Sequence, residues 1–138
     1  MKNILFFALT ITLGLLACKK PDAAAETGLA GKWELRTENQ GYSGKVVNFP
    51  IGNGRTVIFS GNTYKIMAHD TVKKEGTFTV VQTVSQVYKT TGTCIIYDNE
   101  TNKIKTFLEV DGNTLRISPD AYDGGYLSYQ RINGLVVD

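Results

Sequence analysis

The 138 residues carry 15 Lys and Arg against 13 Asp and Glu, a net charge of +2. That near-neutral balance gives no sign of a nucleic-acid interface. Two cysteines, Cys18 and Cys94, are too few for a disulfide framework, and the length suits one domain with a single core.

The chain begins with one basic residue, Lys2, and an uncharged apolar run from Ile4 to Ala17. That run is short for a permanent span, which needs about 20 residues. It has the basic start, apolar stretch and small closing residues of a secretory signal. The order Leu15-Leu16-Ala17-Cys18 resembles a lipobox, the processing site of bacterial lipoproteins. The resemblance implies a signal helix and peptide over 1–17, cleavage before Cys18, and diacylglyceryl plus amine acylation at Cys18. The palmitate-type chains would make the membrane a partner through the N-terminal lipid anchor. The expected place is the cell envelope, as an outer membrane lipoprotein, with its periplasmic or outer orientation left open. Two lipid signals already give stable anchoring. Residues 18–30 read as a lipidated flexible tether: Lys19 to Ala30 has charge, Pro21 and small residues without apolar periodicity. Twelve residues at about 3.3 Å each would reach roughly 40 Å.

From Gly31 onward the apolar pattern has period two, in short runs rich in Val, Ile, Thr, Tyr and Phe. Eight strands are predicted, over 32–38, 55–60, 63–69, 75–82, 87–97, 104–110, 114–118 and 126–132. Ser60-Gly61-Asn62 and Asp111-Gly112-Asn113 supply hairpin turns, since Gly and Asn tolerate positive φ. Short connections force antiparallel pairing of sequential strands. Closing eight such strands into a barrel removes both sheet edges. The predicted fold is therefore all-β, an eight-stranded antiparallel up-and-down β-barrel over 31–133, with a C-terminal tail at 134–138.

The first predicted strand opens Gly31-Lys32-Trp33 and the last ends Tyr129-Gln130-Arg131. This pair resembles the calycin superfamily, which includes lipocalins and fatty-acid-binding proteins. The layout is most similar to the lipocalin-like lipoproteins of the Bacteroidota. The resemblance implies a structural clasp of Gly31, Trp33 and Arg131, with the guanidinium lying on the indole at the closed end. The middle Thr-Asp-Tyr motif of lipocalins is absent from this sequence.

An eight-stranded barrel encloses either side chains or one small ligand. The expected function is a lipid-anchored envelope binding protein that holds a small apolar ligand. The alternative is an envelope interaction protein, an inhibitor or assembly subunit, with a filled barrel. The longest irregular stretch, Asn39 to Gly54, is either a hydrophobic lid or a plug. Its Tyr42 and Phe49, with Tyr64, Ile66, Phe78 and Leu108 from the barrel interior, are the candidate ligand-binding residues. No catalytic residue, metal site or cofactor is expected, and the chain does not read as an enzyme. His69 and Asp70 are adjacent on a strand end and would point to opposite faces. Asp120 and Asp123 read as a turn rather than a Ca²⁺ site, and Cys94 as a small buried hydrophobe. Asp70-Thr71-Val72 resembles the short sites O-glycosylated in Bacteroidota, which makes Thr71 a candidate modification site. Tyr122, Tyr126 and Tyr129 are candidates for a recognition patch, with at least one of them in the core.

Overall fold

A computed structural model describes residues 22–101 and 103–132. The signal peptide, Cys18, Lys19 to Pro21 and the tail at 134–138 lie outside the described residues. Within them the chain forms α1 (Ala23–Glu26), β1 (Gly31–Asn39), a 3-10 turn (Gly41–Ser43), β2 (Val46–Asn48), β3 (Arg55–Ser60), β4 (Thr63–Ala68), β5 (Thr71–Val84), β6 (Thr91–Tyr97), β7 (Thr106–Asp111), β8 (Thr114–Pro119) and β9 (Tyr126–Ile132).

All pairings are antiparallel, and β1 pairs with β9 to close the barrel. The barrel proper has eight strands. The ninth, β2, shares the β1 edge that β3 uses: β3 pairs with Gly31 to Glu34, and β2 with Thr37 to Asn39. The gap between these two ladders is bridged on the β2–β3 side by a loop, residues 49–54. The short turns dictate the meander, as the Gly61 and Gly112 positions show; both adopt positive φ.

Three expected boundaries move. β5 starts at Thr71 because a bulge at Lys73, between the partners of Ile66 and Met67, keeps it paired with β4. His69 and Asp70 are consequently the turn itself, with His69 at φ 55°. β6 starts at Thr91 instead of residue 87, because Lys89 at φ 56° reverses the chain and Asp120 holds the Ser85–Thr90 loop. Ile104, expected on a strand, precedes β7 and is exposed.

The interior is packed from the closed end upward. Ala24, Leu29, Trp33, Val57, Phe59, Tyr64, Phe78, Ile95, Leu108 and Leu115 form one buried cluster. Phe59 meets Phe78 edge-on at 5.2 Å, and Tyr64 meets Tyr97 at 4.7 Å, the geometry aromatic quadrupoles favour. Within residues 22–30, Ala24 and Leu29 belong to this core and Ala23 packs against it. Asp22 caps α1 by accepting from the Ala25 N–H at 3.0 Å. Ala24 and Leu29 have no exposed surface at all. The physical reason is closure: a barrel end needs covering, and a single helical turn of small residues fits across it.

The clasp is present in this end. The Arg131 guanidinium carbon lies 4.0 Å from the Trp33 ring centroid, and the two residues are register partners on β9 and β1. Arg131 also donates to the carbonyls of Gly28 (2.7 Å) and Ala30, while Trp33 Nε1 donates to Leu29 O at 2.7 Å. Gly31 has φ 125°, and a Cβ there would stand 2.9 Å from an Arg131 nitrogen, so only glycine fits.

Candidate functional site at the open end

Above the packed cluster the barrel opens into a cleft of about 350 Å³ between β9, β1, β3, β4 and the start of β5. Leu35, Ile66, Ala68 and Leu127 supply apolar walls, with Arg55, Glu38, Lys73 and Tyr129 among them. The inward placement of Glu38 comes from a bulge in β1. Leu35 pairs with Tyr129 and Thr37 with Ser128, so Arg36 is the extra residue and the alternation flips beyond it. Glu38 then meets Arg55 across the mouth at 3.9 Å. The Arg55 guanidinium also lies 4.6 Å from the Phe49 ring centroid.

Ile66 is the unusual wall residue. It shares the inward face of β4 with the fully buried Tyr64, yet it is 40 % exposed, because nothing fills the space in front of it. Burial drives the Tyr129 hydroxyl up to about 12, with Arg55 opposing and Glu38 adding to that shift. Burial also raises Tyr97, with Tyr129 and Tyr64 contributing. These phenols stay neutral and act as hydrogen-bonding groups at the floor of the mouth.

A second polar group flanks this floor. Asp98 accepts from Tyr64 Oη at 2.8 Å and from the Thr77 N–H at 3.0 Å, and Lys74 Nζ stands 3.3 Å away. The Tyr64 hydroxyl, then the backbone and Lys74, hold the Asp98 carboxyl below its usual range, against a smaller desolvation effect. Its φ of 54° is a left-handed conformation that Asp tolerates.

The expected ligand residues divide. Ile66 lines the cleft. Tyr64, Phe78 and Leu108 are side chains of the filled core, so they support the floor and do not face free space. None of the residues from Asn39 to Gly54, expected as lid or plug, lines the cleft. Tyr42 is 91 % exposed, and Phe49 is half-buried beneath Arg55. The segment instead wraps the outer face of β1. There Glu34, only 3 % exposed, accepts from Gly52 N–H at 3.1 Å and Gly54 N–H at 3.3 Å, and from Arg36. Asn53 Nδ2 donates to Leu35 O at 2.8 Å and Pro50 O at 2.7 Å. Burial alone would raise the Glu34 carboxyl, but the Gly52, Arg36 and Gly54 hydrogen bonds outweigh it and hold it below the usual value. A carboxylate between Trp33 and Leu35 reads as a solvent-facing strand residue. The glycine-rich Gly52-Asn53-Gly54 was the available signal for its backbone cradle.

Asp120 has a structural task of the same kind. It accepts from Ser85 Oγ at 2.5 Å and from the Gln86 and Val87 N–H groups, pinning the β5–β6 hairpin. The Ser85 hydroxyl first, then those backbone groups, lower its carboxyl pKa against desolvation. Cys94 is buried and free. Thr71 is exposed at the start of β5. Among the described residues, no group of three His, Cys, Asp or Glu could hold a metal ion.

The loops at this end also carry aromatics that sequence did not bring together. Gly41 packs directly on the backbone of Asp123 and Gly125, which places Tyr42 beside the Tyr122 loop. Tyr88 Oη reaches Ala121 O at 3.5 Å. Tyr42, Tyr88 and Tyr122 are 91, 61 and 80 % exposed, an aromatic rim on adjoining loops. Of the tyrosines expected to form a patch, only Tyr122 belongs to it. Tyr129 is inside, and Tyr126 lies under Arg116, 4.0 Å from the guanidinium carbon. The chain matches no protein family, no curated protein and no solved structure.

Proposed function

We propose that this chain is a lipid-anchored protein of the cell envelope, held through Cys18, that binds a small, mainly apolar ligand in the mouth cleft. The lipocalin-like character and outer-membrane placement belong to the same reading and rest on the sequence resemblances. The observation that carries the ligand reading is the two-part interior. The lower barrel is solid, while inward-facing Ile66 and its neighbours Leu35, Ala68 and Leu127 border about 350 Å³ of open space. That volume is at the small end of ligand pockets. Arg55, Glu38 and the neutral Tyr129 hydroxyl supply polar contacts that would orient one end of the ligand.

A second reading, an envelope interaction protein, draws on the Tyr42, Tyr88 and Tyr122 rim. Exposed tyrosines grouped on neighbouring loops are typical anchors for a protein partner. Titration with an apolar fluorescent probe separates the two. The ligand reading expects saturable binding that Ile66→Lys and Leu127→Glu weaken at least about tenfold. It expects Tyr42→Ala with Tyr122→Ala to leave binding unchanged. A folded wild type that binds no probe overturns the ligand reading and leaves the tyrosine rim as the functional surface.

A further inference from the structure

We infer that the closed end of the barrel faces the bilayer that carries the anchor, and that the mouth cleft and tyrosine rim open away from it. The inference rests on lipidation at Cys18, proposed above, and adds the orientation that the packed N-terminal segment imposes.

The argument is one of lengths. If residues 19–30 were free, their roughly 40 Å of slack would let the barrel turn either end to the membrane. They are not free from Asp22 onward. Ala24 N–H donates to Gly61 O at 3.1 Å, and Ala23 N–H to Asn62 Oδ1 at 3.2 Å. Both acceptors lie in the β3–β4 turn, at the closed end. Ala30 N–H closes the segment onto Ala24 O at 2.9 Å. Leu29 is a core residue, and the Gly28 and Ala30 carbonyls are the acceptors of Arg131. Paying out more chain would strip Leu29 from the core and dismantle the clasp.

Only the steps from Cys18 to Asp22 remain to bridge lipid and barrel, at most about 14 Å of extended chain. The barrel is longer than that. The nine residues of β1 rise about 30 Å, or about 23 Å along the axis at a tilt near 40°. Asp22 leaves at one end of this length. A 14 Å leash cannot turn the barrel over to set its mouth face-down on the headgroups. The cleft therefore exchanges its ligand with the aqueous phase or with a partner there, and not with the leaflet that holds the anchor. The tyrosine rim projects in that same direction.

The test uses the full lipidated protein in phosphatidylethanolamine–phosphatidylglycerol vesicles with a headgroup spin-labelled lipid as quencher. A fluorophore is placed by Asn113→Cys at the closed end or by Tyr122→Cys at the open end. Both sites are exposed, and the native Cys94 is buried. The expected result is quenching at least about threefold stronger at residue 113 than at 122. A flexible twelve-residue insertion between Pro21 and Asp22 should abolish the difference, which a purely structural effect of labelling would not. Equal or stronger quenching at 122 in the uninserted protein, with the protein still floating on vesicles, overturns the orientation alone. Protein that does not float, and whose intact mass lacks acyl groups, overturns the anchor and the orientation with it.

Discussion

Removing the Glu34 side chain should detach the 49–54 loop from the outside of the barrel. Glu34→Ala deprives the Gly52 and Gly54 N–H groups of their acceptor and leaves Arg36 with Pro50 O as its remaining partner. Truncating one member of a buried charge pair costs about 3–5 kcal/mol, and each orphaned buried donor about 1–3 kcal/mol. Gly52 and Arg36 retain access to water, so the lower part of these ranges applies, about 2–3 kcal/mol. For a domain of this size that lowers Tm by roughly 8–15 °C. Urea denaturation gives the free energy, and amide exchange at Gly52 and Gly54 locates it. The pH dependence has a definite sign. The folded Glu34 pKa lies below its ordinary 4.5, so its stabilisation is present above that value and fades as pH falls through the folded pKa. Glu34→Gln should flatten that acid slope. A Glu34→Ala variant within about 0.5 kcal/mol of wild type, with unchanged exchange at both glycines, would refute this account of the loop.

Trp33→Ala should cost about 3–5 kcal/mol in urea denaturation and Arg131→Ala less. The double variant should fall short of their sum by about 0.5–2 kcal/mol, whereas strict additivity would deny the clasp energetic weight. Asp120→Ala should speed amide exchange at Gln86 and Val87 with little change in Tm; a global loss of stability would show that the hairpin is integral to the barrel. Tyrosinate absorbance should show Tyr129 ionising near pH 12, an absorbance step that Tyr129→Phe removes. Because its folded pKa is raised, the Tyr129 contribution to stability is intact below pH 10 and declines as pH climbs towards 12, a loss absent from the Phe variant.

The strands and their order were legible in the chain because period-two alternation and positive-φ turn residues act locally. Trp33 beside Arg131 was legible only by resemblance, since their separation of 98 residues is bridged by barrel closure alone. Tertiary structure decided what local patterns leave degenerate. Glu34 alternates outward as any strand polar residue does, but a loop 18 residues later roofs it. Ala24 and Leu29 sit in a segment with no periodicity, and become core because the barrel end must be covered. The bulge at Arg36 turns Glu38 inward to face Arg55, and one extra residue of that kind leaves no mark in composition. Whether the interior is filled was undecidable from the alternation, which gives inward faces and not the volume between them. Packing decides that volume: the lower layers interdigitate, whereas at the mouth Ile66 has no opposite neighbour to fill its space.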